Sequence, residues 1–321
     1  MLRSLFAAAL ATAIAGLATS APAQTYPTRP IRLVVPFAAG SATDTLARVL
    51  GQKLAASEGW NVVIENMAGA SGMLAAQNVA RSAPDGHTVF VTSNTTHAAN
   101  QNLFKKLTYD PIADFEPIGK LGTITLALAA HPSVPTSNTK ELIAYGKANP
   151  GKLSFGSGSS SSRLAGEMLK TLAGFEMLHV PYKSNPMAIT DLLGGQISLV
   201  FADVSTTLPQ IRAGKVKGFG VSSAQRSPLA PDLPTMVEEG VPGYELTAWF
   251  AAFVPAKTPK PIVDKLNAAI NSAIADKVVQ DALLAAGIEP LTSTPDELRA
   301  FVVSETRKWA DIVKAAGIEP E

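Results

Sequence analysis

The sequence has 321 residues, 46% of them hydrophobic, with 27 Lys and Arg against 26 Asp and Glu and no cysteine. This length exceeds what one small core needs, so two domains are expected, and the hydrophobic content excludes a disordered chain. The balanced charge gives no electrostatic case for nucleic-acid binding, and the lack of cysteine excludes disulfides and thiolate chemistry.

The N-terminus has the pattern of a secretory signal peptide. Arg3 supplies a positive charge, residues 5–17 are apolar and rich in alanine, and Ala21-Pro22-Ala23 places small residues at a cleavage site. A retained membrane helix is disfavoured because this run is short and no later segment reaches about 18 uninterrupted apolar residues. We therefore expect residues 1–23 to be cleaved off after Ala23 and the mature chain to be exported.

A strand, a turn and a helix are predicted in succession near the start of the mature chain. The β-branched run Ile31–Val35 predicts a buried strand, and the small residues Ala38-Ala39-Gly40 allow close approach to their backbone. Ser41 is a good N-cap for a helix over 42–57, and Asp44 completes a capping-box-like pattern. Such a helix N-terminus suits an anion, although the same residues fit an ordinary βα turn in which Asp44 is only a cap.

Strands and helices then alternate at a spacing typical of a parallel α/β sheet. A strand over 61–65, a helix over 73–80 and a strand over 88–92 follow, and the last opens into the polar loop 93–97. Ligands of such sheets bind beyond the carboxyl ends of the strands. The turn after the first strand and the polar loop at 93–97 are therefore candidate binding segments.

A second strand–turn–helix unit follows in the middle of the chain. Residues 105–120 are expected to be irregular, and an apolar strand within 122–130 is expected to cross into a second lobe. The serine-rich turn Ser157–Ser162 then joins a short strand to a helix over 163–173, and residues 246–254 are expected to cross back. Two such units joined by two crossings indicate an α/β clamshell. Its predicted lobes are residues 24–122 with 250–321, and residues 123–249.

Several segments, spread over nearly all of the mature chain, match the sequence pattern of a known family. They include Tyr26–Gly40, Val63-Ile64-Glu65-Asn66, Pro84-Asp85-Gly86-His87-Thr88, His179-Val180-Pro181-Tyr182-Lys183 and Asp191–Ile197. In these segments the sequence resembles the extracytoplasmic receptors of tripartite tricarboxylate transporters, the Bug family. The resemblance implies a type II periplasmic-binding-protein clamshell, each lobe a mainly parallel sheet flanked by helices, that holds a small carboxylate between its lobes. It also implies a monomeric periplasmic receptor that serves membrane transporter subunits and has no catalytic residues, cofactor or metal.

The resemblance places the ligand contacts in the two turns, in the loop after the third strand and in the segment 201–203, where Ala202-Asp203 departs from the commoner family pattern. The candidate contacts are Phe37, Ala38, Ala39, Gly40, Ser41, Asp44, Ser93, Thr95, Ser157, Ser159, Ser160, Ser161 and Asp203. The turns and the loop contain no Lys or Arg, so backbone N–H groups and hydroxyls are expected to hold the carboxylate. A glutamate in place of Ala39 is therefore expected to weaken binding. Trp249 and Phe250 are interpreted as packing residues of the return crossing.

A secreted serine hydrolase that uses the Ser157–Ser162 turn is the alternative from the enzyme class. Residue 155 is Phe, so the turn is not a Gly-x-Ser-x-Gly elbow, and the histidines are scattered and lack metal-ligand spacing. A carboxylate sensor for a signalling partner is the other alternative. Regulators of that kind carry a DNA-binding helix-turn-helix, whereas this chain begins with a signal peptide and is nearly neutral.

Overall fold

The computed structural model describes residues 26–320, so the predicted signal peptide lies outside the described residues. This range contains ten strands and ten α-helices. The strands are β1 (Ile31–Val35), β2 (Val62–Asn66), β3 (Thr88–Ser93), β4 (Phe115–Ala130), β5 (Ser154–Ser157), β6 (Leu178–Pro181), β7 (Leu199–Asp203), β8 (Lys217–Val221), β9 (Thr247–Pro255) and β10 (Glu289–Pro290). The helices are α1 (Ala42–Glu58), α2 (Met73–Ala80), α3 (Asn100–Leu103), α4 (Thr139–Ala148), α5 (Ser160–Ala173), α6 (Asn185–Leu193), α7 (Val204–Arg212), α8 (Lys260–Ala275), α9 (Lys277–Ala285) and α10 (Pro295–Ala315).

The first half of the sheet has β1 between β2 and β3, and these three strands are parallel, as the sequence predicts. Strand β9 is antiparallel to β3, and β4 is antiparallel to β9. The carboxyl ends of β1 and β3 therefore lie at one edge of the sheet. The turn before α1 and the segment after β3 meet at this edge.

The second half repeats this pattern, with β5 between β6 and β7 and all three parallel. Strand β4 joins the halves, because Phe115–Thr125 pairs with β9 while Leu126–Ala130 pairs with β7. Strand β8 pairs with the same last part of β4. The two segments predicted to cross between the lobes lie in β4 and β9, and of these β9 is antiparallel to β3 and β4 is antiparallel to β7.

Strand β4 is longer than the sequence predicts. The prediction that 105–120 is irregular is wrong from Phe115 onward. Pro117, Gly119 and Gly122 disfavour a strand prediction here, because proline and glycine are weak strand formers. The ladder with β9 shifts register between Pro117 and Gly119 and again between Lys120 and Gly122, so Ile118 and Leu121 are bulged next to these residues. A Cβ at Gly122 would lie 2.7 Å from a backbone oxygen of β10, so glycine permits that strand to pair with β4.

The segment after β3 is helical, although the sequence predicts a polar loop over 93–97. Thr95–Ala99 forms a π-helical turn that continues into α3, and its first three residues are at most 1% exposed. Thr96 Oγ1 lies 2.7 Å from Thr92 Oγ1, and the Thr96 carbonyl accepts a 2.7 Å hydrogen bond from the Tyr109 hydroxyl. Polar composition suggests a surface loop here, but the segment is buried and Thr96 is satisfied by hydrogen bonds within the core.

Apolar side chains alternate between the two faces of the sheet. In β1, Val34 joins a core that runs through both halves and includes Phe90, Phe155 and Phe201. Leu33 packs on the opposite face, in a core shared with α1 and α8. The core common to both halves holds the strands at fixed positions beneath the cleft described below.

Helix α10 covers that common core. Thr294 and Glu297 form a reciprocal capping box at its start, which fixes where it begins. The Nε1 atoms of Trp249 and Trp309 both donate to Glu305 Oε2, at 2.8 and 3.1 Å, and so tie the helix to β9. Within residues 26–320, none of the helices has the length and apolar character that crossing a bilayer requires.

Candidate functional site

Four helices begin at one cleft between the two halves of the sheet. Helix α1 starts there in the first half, and α5, α6 and α7 start there in the second. The lining residues are Phe37, Ser41, Thr43, Ser93, Gly158, Ser159, Ser161, Asn185, Asp203, Ala248 and Phe250. The unpaired N–H groups of helix N-termini favour negative charge, and none of these lining residues is Lys or Arg.

The turn before α1 is stabilised by the carboxylate of Asp44, which lies in the first turn of that helix. Ser41 Oγ caps the helix by accepting a 3.2 Å hydrogen bond from the Asp44 N–H. The Asp44 carboxylate accepts hydrogen bonds of 2.9 Å each from the Gly40 N–H, Arg48 Nε and Asn66 Nδ2. Burial raises the pKa of the Asp44 carboxyl, but these hydrogen bonds outweigh it and hold the pKa below its usual value. Asp44 does not line the cleft, so the structure favours its interpretation as a structural residue of the turn.

Only part of the first turn reaches the cleft. Phe37 and Ser41 line it, whereas the candidate contacts Ala38, Ala39 and Gly40 do not. Ala39 and Gly40 are exposed at the surface of the turn. Gly40 has a φ of +81°, a left-handed conformation that glycine adopts without strain, and a Cβ there would meet no atom within 4 Å.

The end of β3 connects the two halves beside the cleft. Ser93 lines the cleft, whereas the candidate contact Thr95 is fully buried and does not. Between them, the buried Asn94 donates from Nδ2 to Ser161 Oγ at 2.8 Å and accepts at Oδ1 from the Trp249 N–H at 3.2 Å. One amide therefore ties β3 to the start of α5 and to β9.

Helix α5 begins at Ser160, three residues before the predicted start, because Ser159 is its N-cap. Ser159 Oγ accepts a 3.1 Å hydrogen bond from the Ser162 N–H. Ser160 Oγ donates to Asn100 Oδ1 at 2.6 Å, so this candidate contact binds the first half of the protein and does not line the cleft. Ser159 and Ser161 do line it. Four adjacent serines are all acceptable caps, so the sequence could not identify the one that is used.

Four serine hydroxyls face the cleft as hydrogen-bond donors. They are Ser41, Ser93, Ser159 and Ser161. Each oxygen already accepts a hydrogen bond from within the protein, at 3.2, 3.3, 3.1 and 2.8 Å respectively. The part of the chain that the structure describes contains no acceptor for the four hydroxyl protons, so these protons remain available to a bound molecule.

Asp203 is the one acidic side chain among the described lining residues. Its Oδ2 accepts a 3.2 Å hydrogen bond from Asn185 Nδ2, and Asn185 Oδ1 accepts a 2.9 Å hydrogen bond from the Gly158 N–H. Burial raises the pKa of the Asp203 carboxyl to about 6, although the Asn185 hydrogen bond lowers it in part. Residues 26–320 contain no group of three or more His, Asp or Glu side chains arranged to hold a metal ion.

Ser157, a candidate contact, pairs with a histidine outside the cleft lining. Its Oγ lies 2.7 Å from His179 Nε2, and the residue is 5% exposed. A serine and a histidine at this distance are two of the groups that a hydrolase needs. Neither residue lines the cleft in which the hydroxyl donors converge. The pair links the neighbouring strands β5 and β6.

Sequence analysis missed five lining residues: Thr43, Gly158, Asn185, Ala248 and Phe250. Phe250 packs in the core shared with α1 and α8, in agreement with its interpretation as a packing residue, and with Ala248 it also lines the cleft as an apolar wall. Asn185 had a usable signal, since Ser184-Asn185-Pro186 places proline in the first turn of a helix. The contact between Asn185 and Asp203 has no local signal, because it depends on how α6 and β7 pack.

Comparison with known proteins identifies the relatives of this chain. The model of the tripartite tricarboxylate transporter family receptor matches residues 46–318. BugT of Bordetella pertussis is 35% identical over 320 residues, which cover 99% of this chain and 98% of BugT. The structure of R. palustris Rpa4515 with adipate has a TM-score of 0.89 and 34% identity, covering 92% of this chain and 100% of that one. MatC from Rhodopseudomonas palustris with bound malate has a TM-score of 0.85 and 35% identity, covering 90% and 100%. These matches confirm the expected periplasmic-binding-protein fold.

Proposed function

The chain belongs to the tripartite tricarboxylate transporter receptor family, whose members are substrate-binding receptors and not enzymes, and we propose that it captures a small organic carboxylate in its cleft. It then delivers the carboxylate to the membrane subunits of a tripartite tricarboxylate-type transporter. It does so as a monomer in the periplasm, after cleavage of residues 1–23.

The observation that carries this proposal is that four serines, Ser41, Ser93, Ser159 and Ser161, line one cleft among whose described lining residues none is a cation. An ionised carboxylate accepts several hydrogen bonds and donates none, so it complements a set of donors. Hydrogen bonds to a charged acceptor are about twice as strong as neutral ones. The N-termini of α1 and α5 add a favourable field for the same charge.

The proposed contacts divide by chemistry. Ser41, Ser93, Ser159 and Ser161, together with Thr43, bind the carboxylate. Phe37, Ala248 and Phe250 pack against the carbon skeleton. The other candidate contacts lie outside the cleft lining and are not proposed to touch the ligand: Ala38, Ala39, Gly40, Asp44, Thr95, Ser157 and Ser160. The lobes that close on the ligand are residues 24–122 with 250–321, and residues 123–249.

The ligands bound in two related structures support the same class of molecule. Rpa4515 was solved with adipate and MatC with malate, both dicarboxylates, on chains that this protein matches over at least 90% of its length. The two ligands differ in length and substitution. Hydrogen-bond donors that bind a carboxylate group can accommodate both carbon skeletons. We therefore propose that this chain binds a small carboxylate, without assigning it either adipate or malate.

A thermal-shift screen tests the proposal. Mono-, di- and tricarboxylic acids are compared with their methyl esters or amides at the same concentration. An acid present at 100 times its Kd stabilises the folded protein by about 2.7 kcal/mol. For a chain of this size the melting temperature then rises by about 5–10 °C. Neutral analogues should give no shift, because they lack the charge that the donors bind.

The double variant Ser159→Ala/Ser161→Ala should lose the shift given by the best acid. Ser57→Ala is the matched control, because this exposed hydroxyl near the end of α1 bonds only the Lys53 carbonyl of its own helix. It should keep the full shift. A neutral analogue that binds as tightly as its parent acid would contradict the proposal.

A further inference from the structure

We propose that Asp203 makes this receptor selective for carboxylates that carry a hydroxyl or ammonium group close to the bound carboxylate. This inference rests on the proposed function, since it concerns the same cleft. It goes further because it names a second chemical group that the ligand must contain and the residue that recognises it.

The hydrogen-bond network fixes how Asp203 meets the cleft. The Gly158 N–H can only donate, so the Asn185 oxygen faces it and the Asn185 NH₂ faces Asp203. Asp203 Oδ2 is thereby occupied by a donor. Asp203 lines the cleft, and among the described residues Asn185 is the side chain that donates to its carboxylate, which leaves Oδ1 able to accept from a ligand. Because burial raises the pKa of this carboxyl only to about 6, the group is mainly ionised at neutral pH.

The position of Asp203 relative to α5 limits where the ligand's donor can be. A single side chain, that of Asn185, separates Asp203 from Gly158, which is next to the cap residue Ser159. A carboxylate held by Ser159 and Ser161 therefore lies near Asp203. A donor on the carbon next to that carboxylate, or one carbon further, can reach Asp203 Oδ1.

Charge then separates the ligands. A hydroxyl or ammonium group gives Asp203 a hydrogen bond, and the bond to a charged acceptor is stronger than a neutral one. A ligand that puts a second carboxylate at this position meets a like charge, and none of the described lining residues is a cation that could offset it. An unsubstituted ligand offers no donor to this carboxylate, which then keeps only the hydrogen bond from the Asn185 side chain while it is desolvated.

Isothermal titration with matched ligand sets at pH 7.5 tests this inference. The sets are acetate, glycolate and glycine; succinate, malate and aspartate; and glutarate, 2-hydroxyglutarate and glutamate. In the unaltered protein, the substituted members of the set of best length should bind at least about tenfold more tightly than the unsubstituted one.

The Asp203→Asn variant should reverse this preference. Its oxygen would still accept from Asn185, so its NH₂ would face the cleft and present a donor where an acceptor stood. The ratio of affinities should fall at least about tenfold, with the unsubstituted dicarboxylate binding more tightly than before. Asp232→Asn, the same change at an exposed position away from the cleft, should leave every affinity unchanged.

The outcomes separate this inference from the receptor proposal. Equal binding of substituted and unsubstituted members, or an equal change of all affinities in Asp203→Asn, would overturn the selectivity and leave carboxylate capture standing. Failure of all carboxylates, in these sets and in the thermal screen, would overturn both. Loss of preference in Asp203→Asn with Asp232→Asn unaffected would establish Asp203 as the residue that determines specificity.

Discussion

The turns before α1 and α5 have the same plan but differ in charge. Each follows a parallel strand, and each uses a serine cap that accepts a hydrogen bond from the N–H three residues on. The turn before α1 holds Asp44, which the neighbouring Arg48 and Asn66 satisfy within the same half of the protein. The first turn of α5 contains no ionisable residue before its fourth position.

This difference indicates a division of labour. The first turn is held by its own carboxylate and needs nothing from the second half. The second turn is held from across the cleft, because Asn100 accepts from Ser160 and Asn94 donates to Ser161. The position of the second turn therefore depends on how the halves meet, and we expect a ligand charge in the cleft to be countered mainly at the start of α5.

The largest expected effect on stability comes from Gly158 in the second turn, and Gly40 in the first turn is its counterpart. In Gly158→Ala the new Cβ would lie 1.9 Å from the Ser184 carbonyl carbon and 2.0 Å from the Asn185 nitrogen. Backbone atoms cannot yield cheaply, so the free energy of unfolding should fall by about 3 kcal/mol or more. Gly40→Ala has open space and only left-handed strain, so about 1 kcal/mol is expected. Thermal and urea unfolding measure both.

If the backbone of the first turn were the more closely packed of the two, Gly40→Ala would lower the free energy of unfolding more than Gly158→Ala. Titration of the best carboxylate should show the same ranking, because Gly158→Ala displaces Asn185 and the start of α5. Gly40→Ala should bind with nearly unchanged affinity.

The next prediction contrasts the two aspartates by pH. Burial raises the folded-state pKa of Asp203 from 3.8 to about 6, so the folded state binds the extra proton between those values. Stability that Asp203 contributes is present below pH 4 and lost as the pH rises through 6, a change of up to about 3 kcal/mol. Asp203→Asn should therefore stabilise the protein at pH 7.5 and have no such effect at pH 4.

Asp44 has the opposite sign. Its folded-state pKa is lowered by the hydrogen bonds from Arg48, Gly40 and Asn66, so its stabilisation is present at neutral pH and is lost as the pH falls below its usual value. Asp44→Asn should destabilise the protein at pH 7.5 and have little effect in strong acid. Unfolding curves of both variants between pH 3 and 8 measure the slopes, and slopes of equal sign would contradict the assignment.

The sequence predicts the two turns well because their signals are local. A β-branched strand, small residues and a serine cap lie within 14 residues of Ile31, and the α5 turn has the same order. The use of each group could not be predicted. Asp44 is held locally by Gly40 and Arg48, but its third donor, Asn66, lies on another strand and has no local signal. Phe250 enters the site only because β9 pairs with β3 and β4, and Pro117 and Gly119 concealed the start of β4.

The cap and cleft serines test the comparison at a smaller scale. Ser161→Ala removes a donor to the ligand and leaves Asn94 Nδ2 buried without its acceptor, which should cost about 1–2 kcal/mol of stability. Ser41→Ala loses a helix cap at a cost of about 1 kcal/mol. The ligand affinity should fall more in Ser161→Ala, by about tenfold or more, because the second turn meets most of the ligand charge. A larger affinity loss in Ser41→Ala would place that charge at the first turn instead.

The smallest effect is expected for Ala39→Glu, where the structure changes the expectation based on the sequence. The sequence places Ala39 beside the anion, so a glutamate should repel it. In the structure Ala39 is exposed and does not line the cleft, and the nearby Gly40 N–H is already occupied by Asp44. A solvated charge outside the cleft is screened, so the affinity for the best carboxylate should change by less than about threefold at 0.15 M salt.

The matched change inside the cleft, Thr43→Glu, should abolish binding, because it puts the same charge among the lining residues. Titration of both variants at 0.02 and 0.15 M salt separates the two positions. A strong loss in Ala39→Glu that persists at the higher salt would mean that the ligand reaches the outer part of the first turn.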